Sequence, residues 1–245
     1  MSDKRKAVVV GVGPEAGLGG ALCKRFAREG MHVFVAGRTA EKIDTVAAAI
    51  RAAGGEATAV RTDTTAEKDV VDLFTRAKAE GAGPVDLVVY NAGNAAFGEL
   101  HDMEAAFFEL VWRVGCFGGF LVGREAVRQM LPRGRGSVIF SGATASIRGR
   151  ATTTAFAAAK AGLRSLAQSM ARGYGPRGIH IAHVIIDGGI AGDKIIQGLP
   201  QFAQAMGEDG LVDLEGLADA YWFLHRQPRA SWTHEIDLRT FKEQF

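Results

Sequence analysis

The sequence predicts an α/β fold built on one doubly wound parallel sheet with helices on both faces. Short runs of β-branched residues alternate with longer segments of helical periodicity, which is the pattern of repeated β-α units. A crowded glycine turn follows the first of these runs. The chain has 245 residues, of which 47% are hydrophobic, and this suits a single domain spanning residues 1–245.

The first half of the chain supplies four β-α units. V-V-V after Lys6 predicts a buried strand, V-F-V-A a second, E-A-T-A-V-R a third and V-D-L-V-V-Y a fourth. Glycines at 54–55 and 81–83 indicate turns between the units. The expected strands are Lys6–Val12, His32–Ala36, Glu56–Arg61 and Val85–Tyr90. The expected helices are Gly17–Glu29, Ala40–Ala53, Ala66–Ala79 and Met103–Met130.

The second half continues the alternation with three more strands. G-S-V-I-F-S, I-H-I-A-H-V-I-I and E-I-D-L are short and rich in branched residues, whereas the segments between them have helical periodicity. The expected strands are Gly136–Ser141, Ile179–Ile186 and Glu235–Leu238. The expected helices are Thr152–Tyr174 and Leu214–Arg226.

Composition points to a small-molecule partner. The net charge of +2 is nearly balanced and no lysine/arginine stripe occurs, so we expect no nucleic-acid partner. The apolar run Ala7–Val10 stops at Gly11 and is too short for a signal or a membrane span. We therefore expect a cytoplasmic protein without a membrane partner. Cys23 and Cys116 lie in helical patterns without a histidine cluster, which indicates reduced thiols and no metal site.

The first β-α junction reads V-V-V-G-V-G-P-E-A-G-L-G-G and brings Gly11, Gly13, Gly17 and Gly19 close together. A turn of this kind exposes backbone N–H groups and the positive end of a helix, and glycine lets a pyrophosphate approach the backbone. The alternative is a tight turn with no ligand. Strands and helices on both sides favour nucleotide binding.

Arg38 and Thr39 follow the second strand, where an NAD-binding chain usually carries an acidic residue for the ribose hydroxyls. A guanidinium pairs instead with a 2′-phosphate, so the sequence favours NADP(H), with NAD(H) as the alternative. The alternative for Arg38 is an exposed arginine that caps a loop. Asp63 and Asn91–Gly93 follow the third and fourth strands, at the edge where such sheets bind ligands, although each also suits a turn or a cap.

Taken together, three motifs resemble those of the short-chain dehydrogenase/reductase family. They are G-x-x-x-G-x-G at Gly13–Gly19, N-A-G at Asn91–Gly93, and Lys160 in a long helix after the fifth strand. The resemblance covers nearly the whole chain and implies a Rossmann fold, an oxidoreductase and a nicotinamide cofactor whose ribose binds Lys160. The resemblance implies that the pyrophosphate binds at Gly13, Gly17, Leu18 and Gly19, with Gly11 as an alternative first glycine. The adenine edge would contact Asp63 and Thr64. Asn91, Ala92 and Gly93 would form the floor beneath the cofactor, and Gly188 and Ile190 would contact the nicotinamide amide.

The family's catalytic asparagine, serine, tyrosine and lysine correspond here to Gly115, Ala143, Phe156 and Lys160. Carbonyl reduction needs a proton as well as a hydride, and tyrosine supplies it because a neighbouring lysine lowers its pKa. Phenylalanine has no such proton, and losing a general acid typically costs about 10²–10⁴-fold in rate. The sequence therefore indicates a divergent member that lacks the usual serine and tyrosine.

Hydroxyl groups near Lys160 are the candidate replacements. Thr153 is expected on the helix face of Phe156 and Lys160, and Ser141 and Ser146 lie at or just beyond the end of the fifth strand. Local backbone capping is the alternative for each hydroxyl. His183 has a ring pKa suited to an acid, although a core histidine bonded to the backbone explains it equally well.

Residues 190–213 have the position of the family's substrate lid. Its apolar side chains indicate a small, apolar carbonyl or enone-like substrate, although the same spacing suits a short core-packed helix. The long helices near residues 103–130 and 152–174 correspond to surfaces that pair family members, so we expect a homo-oligomer, a dimer or a tetramer. An NADP(H)-dependent reductase with an atypical proton source is the first hypothesis. A catalytically silent NADP(H)-binding sensor or assembly protein is the second, and a scaffold is the third.

Overall fold

The computed structural model describes residues 4–243 and contains one sheet of seven parallel strands. The strand order is β3-β2-β1-β4-β5-β6-β7, so the chain winds outward from β1 in both directions. The strands are β1 (Lys6–Val10), β2 (His32–Gly37), β3 (Glu56–Arg61), β4 (Val85–Tyr90), β5 (Gly136–Ser141), β6 (Ile179–Asp187) and β7 (Glu235–Arg239). The prediction of a doubly wound Rossmann sheet is confirmed.

Nine α-helices connect and flank these strands within residues 4–243. They are α1 (Leu18–Arg28), α2 (Ala40–Ala52), α3 (Glu67–Ala79), α4 (Ala105–Trp112), α5 (Gly118–Met130), α6 (Thr154–Tyr174), α7 (Asp193–Ile196), α8 (Pro200–Met206) and α9 (Leu214–Arg226). Helices α1, α2 and α9 pack on one face of the sheet, and α3, α5 and α6 pack on the other.

Strand alternation divides the core between these two helical layers. In β1, Ala7 and Val9 face the layer of α1, whereas Val8 and Val10 face the layer of α3, and all four are fully buried. A strand covered on both faces has no solvent side, which explains why its sequence is a continuous apolar run. Only the two ends of such a strand are not covered by helices. Because the strands are parallel, their carboxyl ends lie at the same edge of the sheet.

The predicted helix Met103–Met130 is interrupted. Residues Arg113–Phe117 form a π-helical turn between α4 and α5. A Cβ atom on Gly115 would lie 2.7 Å from the Cβ of Ala159, so α6 passes too close for a side chain at this turn. Glycine also destabilises a regular α-helix, and single π-helical turns are known to occur inside longer α-helices. Sequence periodicity alone does not register such a one-residue irregularity.

A smaller difference concerns the end of β1. β1 stops at Val10 because the N–H groups of Gly11 and Val12 both donate to the carbonyl of Ala36, which turns the chain out of the ladder. The segment 190–213 contains the short helices α7 and α8.

Among residues 4–243, one helical stretch, Ala105–Arg133, is long and apolar enough to cross a membrane by length and composition. Core helices of soluble proteins also pass this test.

Candidate cofactor and active site

The carboxyl ends of β1, β4, β5 and β6 meet at one edge of the sheet and form the candidate site. The strands are parallel, so the residues that follow them are neighbours in space although they are far apart in sequence. Gly11 follows β1, Asn91 follows β4, and the side-chain amide of Asn91 lies 3.5 Å from the carbonyl oxygen of Gly11. Two of the predicted cofactor segments are therefore in contact.

The glycine turn is shaped by close contacts on one side and is open on the other. Gly11 has φ +90°, and a Cβ atom there would lie 2.4 Å from the backbone nitrogen of Ala92. At Gly19, which begins the packing of α1 on β1, a Cβ atom would lie 2.9 Å from the Cα of Val12. At Gly13 the nearest atom to a Cβ would be 3.8 Å away, in the side chain of Lys194.

Helix α1 points its amino end into this turn. Gly17 precedes Leu18, the first residue of α1, and supplies no side-chain cap. The first backbone N–H groups of a helix have no acceptor within the helix and carry a partial positive charge. These groups therefore form a suitable binding surface for a pyrophosphate.

Three cationic side chains belong to this region. Arg38 and Lys42 follow β2, and the side chain of Lys194 lies 3.8 Å from the position of a Cβ atom on Gly13. Burial lowers the pKa of Lys194, and the positive charges of Lys42 and Arg38 lower it further. Lys194 also donates to the side-chain oxygen of Asn94, 2.5 Å away. Thr39 is the residue that precedes α2 and is exposed. The region has the positive charge that a phosphate group requires.

Asp63 and Thr64 follow β3 but differ in exposure. The carboxylate of Asp63 accepts hydrogen bonds from the backbone N–H and the hydroxyl of Thr65, at 2.9 and 2.8 Å. Burial opposes ionisation of Asp63, but these hydrogen bonds and the charges of Arg38 and Arg61 outweigh it and lower the pKa. Thr64 is buried beside Gly118 of α5.

Lys160 extends from α6 to the carboxyl end of β5. Its side chain is buried, and Nζ donates to the carbonyl oxygen of Ser141 at 2.8 Å. A Cβ atom on Gly93 would lie 3.6 Å from Nζ, so the lysine reaches the backbone that follows β4. Burial lowers the pKa of Lys160 to about 8. The ring of Phe156 lies one turn earlier, with its centroid 5.8 Å from Nζ.

The three candidate hydroxyls near Lys160 each have a partner. Ser141 Oγ lies 2.6 Å from the hydroxyl of Tyr221 on α9, in the layer opposite to α6. Thr153 Oγ1 accepts from the backbone N–H of Arg150 at 3.1 Å and donates to the carbonyl oxygen of the same residue at 3.2 Å. Ser146 Oγ accepts from the backbone N–H of Ala143 at 3.1 Å. These hydroxyls hold local structure in this conformation.

A buried chain of hydrogen bonds supports the turn after β5. Ser146 Oγ lies 3.4 Å from Nε2 of His183, whose Nδ1 lies 2.9 Å from Glu235 on β7. Burial lowers the pKa of His183 to about 4 despite the Glu235 charge, so the ring is neutral at pH 7. Arg164 of α6 pairs with both carboxylate oxygens of Glu235 at 2.6 and 2.7 Å. Glu235 and Arg164 lie 71 residues apart in sequence and were not among the predicted site residues.

Asp187, at the end of β6, is fully buried and faces two arginines. Its carboxylate accepts from the hydroxyl of Thr144 and from Arg148 Nη2 at 3.1 Å, and Arg239 Nη2 is 3.5 Å away. Gly188, with φ +137°, then turns the chain away from the strand. The ion pairs explain how a carboxylate is tolerated at this buried position.

The segment 190–213 lies over the glycine turn. Ile190 forms a parallel bridge with Val212, and the backbone N–H of Asp193 donates to the carbonyl of Ala16 at 2.7 Å. A Cβ atom on Gly189 would lie about 3 Å from each of three apolar side chains above it. These belong to Ile195, Phe202 and Leu211. The segment therefore supplies an apolar cover for the site.

Comparison with known proteins places the chain among dehydrogenases. Residues 6–193 match the family described as short chain dehydrogenase. Cis-4-hydroxycyclohexanecarboxylate dehydrogenase of Sinomonas cyclohexanicum is 36% identical over 203 residues, which are 82% of this chain and 79% of that protein.

Solved structures agree with this placement over nearly the full length. A short-chain dehydrogenase from Rhodopseudomonas palustris is 36% identical with a TM-score of 0.81, covering 97% of this chain and 99% of that one. A metagenomic short-chain oxidoreductase in complex with NADP is 25% identical with a TM-score of 0.81, covering 98% of both chains.

Proposed function

Because the chain belongs to the short-chain dehydrogenase family, we propose that it is an NADP(H)-dependent oxidoreductase acting on a small carbonyl or enone-like substrate. The observation that carries the proposal is the buried Lys160 ammonium, which reaches the backbone of Gly93 at the edge where the glycine turn also lies. A buried charge in this position is explained by a ligand that it binds. When bound, the nicotinamide supplies or accepts the hydride.

The residues present fit a dinucleotide. The open side of Gly13 and the uncapped amino end of α1 leave room and N–H donors for the pyrophosphate. Lys160 Nζ gives one hydrogen to the carbonyl of Ser141. Of the two hydrogens that remain on the ammonium, one would bind a ribose hydroxyl and the other would stay available on the substrate side. Gly188 and Ile190 border the site on the β6 side and are the proposed contacts of the nicotinamide amide.

The charge distribution supports a preference for NADP(H) over NAD(H). Arg38 and Lys42 follow β2, at whose end the adenosine ribose of a dinucleotide lies in such folds, and their charges act on Lys194. The Arg38 guanidinium would pair with 2′-phosphate oxygens, and Lys194 would add charge from the covering segment. The metagenomic relative was solved with NADP, which agrees with this proposal.

Lys160 is also the proposed source of the proton. Phe156 has no exchangeable proton, and the hydroxyls of Ser141, Thr153 and Ser146 have other partners. Burial lowers the pKa of Lys160 to about 8, which makes its ammonium a stronger acid than an ordinary lysine and one poised near working pH. We propose that it protonates the developing alkoxide or enolate, directly or through one water.

The covering segment supports a small, apolar substrate. Ile195, Phe202 and Leu211 gather around Gly189. The name of the Sinomonas relative describes a hydroxylated cyclohexane ring that also carries a carboxylate, so only its ring supports an apolar pocket. Hydride transfer needs the reacting carbon to be held close to the nicotinamide, and apolar walls achieve this while excluding water.

Titration with NADPH and NADH tests the cofactor assignment. Arg38→Asp should weaken NADPH binding far more than NADH binding, whereas equal losses would contradict the proposed contact between Arg38 and the 2′-phosphate.

Incubation with hydride-deuterated NADPH in cell extract, followed by mass spectrometry, tests turnover. A small molecule that gains one deuterium only with the protein present would support an oxidoreductase. Confirmed NADPH binding without any labelled product would favour the silent NADP(H)-binding protein, which Phe156 in the tyrosine position also favours.

We further propose a homo-oligomer. Helices α4 and α5 expose large apolar side chains that a second copy of the chain would cover. These are Phe107, Phe108, Leu110, Trp112 and Phe120, each with at least 36% of its surface exposed. Sedimentation would distinguish a monomer from a dimer or a tetramer. The expected cytoplasmic location stays a prediction.

A further inference from the structure

A second cavity lies at the opposite end of the sheet, where β4, β5 and β6 begin. It has a volume of about 520 Å³, which is within the usual range for small-molecule sites. Asp86, Ser137 and His180 form its floor, and residues 226–229 with Trp232 form its rim. β5 separates this cavity from the carbonyl of Ser141, and five residue steps of a strand span roughly 16 Å. The cavity is thus distinct from the candidate cofactor site.

The charge around this cavity is unbalanced. The carboxylate of Asp86 is almost fully buried and faces Arg5 at 3.2 Å, Arg133 at 3.5 Å and Arg135 at 3.7 Å. Arg135, Arg226 and Arg229 line the cavity, and among these three only Arg135 has a carboxylate, that of Asp86, within 4 Å in the described part of the chain. One arginine would be enough to neutralise Asp86, so holding the carboxylate in place does not explain the other positive charges.

The rest of the lining is apolar or neutral. Trp232 stacks on His180 with ring centroids 4.8 Å apart and an angle of 2° between the planes. His225 lies 5.3 Å from Trp222 and 3.0 Å from the hydroxyl of Ser137. Burial lowers the pKa of His225 to about 4 and also lowers that of His180, so at pH 7 the rings add no charge. The walls therefore offer flat apolar surface beside the arginines.

We propose that this cavity is a binding site for a small organic anion, a carboxylate or a phosphate monoester that carries an apolar ring. Its anionic group lies among Arg135, Arg226 and Arg229, and its ring lies against Trp222 and Trp232. Guanidinium groups bind both kinds of oxyanion through paired hydrogen bonds, and tryptophan provides the flat surface that a ring needs. Binding here does not depend on the proposed redox function.

Tryptophan fluorescence can report binding at this site. Only three tryptophans occur in the sequence, and two of them line the cavity. In a Trp112→Phe background, all tryptophan emission comes from Trp222 and Trp232. Titration of this variant with benzoate and with phenyl phosphate should give a saturable change in emission for at least one probe. Saturation by only one of them identifies the oxyanion as a carboxylate or as a phosphate.

Charge removal supplies the decisive comparison. The pair Arg135→Gln and Arg229→Gln, added to the same background, should weaken the saturating probe at least about tenfold, the scale of losing one charge-assisted hydrogen bond. Arg172→Gln is the matched control and should leave the affinity unchanged. Arg172 lies outside the cavity, and its guanidinium donates to the carbonyl of Gln168 in its own helix. Circular dichroism verifies that each variant is folded.

Two results would overturn the proposal. The first is a linear, non-saturating response to both probes, or equal affinity in the double variant and the control, either of which means adventitious binding only. The second is displacement of the probe by NADPH, which would place it in the cofactor site instead. Saturable probe binding in a protein that fails to bind NADPH would leave this site intact and remove only the proposed function.

Discussion

Replacing Lys160 with methionine should stabilise the protein at neutral pH, although it removes a hydrogen bond. Burial lowers the pKa of Lys160 from 10.5 to about 8, and each pKa unit corresponds to about 1.4 kcal/mol. The folded state therefore binds this proton less tightly than the unfolded state does, which lowers the free energy of unfolding by about 3 kcal/mol at pH 7. Loss of the hydrogen bond to the carbonyl of Ser141 opposes this by about 1–2 kcal/mol. A net gain of about 1–2 kcal/mol remains.

The pH dependence of the free energy of unfolding distinguishes the contribution of Lys160 from other effects of the substitution. Between pH 8 and 10.5 the unfolded state binds more protons than the folded state, so the stability of the wild type should rise with pH in this window. From pH 7 to pH 10 this contribution amounts to about 2.5 kcal/mol, and in Lys160→Met it is absent. Below pH 8 the penalty is present in full and the two curves run parallel.

Urea unfolding of both proteins at pH 7, 8, 9 and 10, without cofactor, measures the difference. Lys78→Met, an exposed position on α3, is the control and should give a curve parallel to the wild type throughout. A Lys160→Met variant whose stability difference from the wild type is the same at pH 7 and pH 10 would refute the assignment of a lowered pKa. The same result would contradict the proposal that Lys160 is the proton source.

Three further substitutions test the site and its supports. Phe156→Tyr combined with Ala143→Ser should raise carbonyl reduction by about 10²–10⁴-fold if only the acid is missing, and unchanged rates would indicate a diverged pocket. Gly115→Ala should lower the free energy of unfolding by about 1–3 kcal/mol in a urea titration, because its Cβ would meet α6 at 2.7 Å, and no loss would mean that the helices adjust. Tyr221→Phe should cost about 1–2 kcal/mol by leaving Ser141 Oγ buried without its partner, and an unchanged melting temperature would contradict that pairing.

The alternation of strands and helices made the fold predictable, because a parallel sheet buried on both faces needs continuous apolar strands. All seven strands were located to within a few residues at their ends. The π-helical turn at Arg113–Phe117 was not predictable, since it depends on the approach of α6 to Gly115 and such contacts are between segments distant in sequence. Local periodicity carries no information about them.

The candidate site was predictable where it depends on backbone order and less so where it depends on side-chain direction. Lys160 and Gly93 meet because parallel strands end at one edge. Ser141 follows the alternation of β5 and points into the α9 layer, toward Tyr221. A signal for this was present, since Ile139, two residues earlier, belongs to the same layer. The partners of His183 come from other elements, and spacing within its own strand does not indicate them.

The buried ammonium also bears on which function is more credible. The aromatic ring one turn before Lys160 is that of Phe156, which has no hydroxyl whose pKa the lysine would lower. A methionine would fill similar volume and avoid a penalty of about 3 kcal/mol, which is a large share of the stability of a typical domain. A protein that served only as a scaffold would gain nothing from this lysine. Ribose binding explains the ammonium in a silent cofactor-binding protein as well as in an enzyme, because burial alone lowers the pKa of Lys160 to about 8 in either case. The buried lysine therefore favours a cofactor-binding protein over a scaffold.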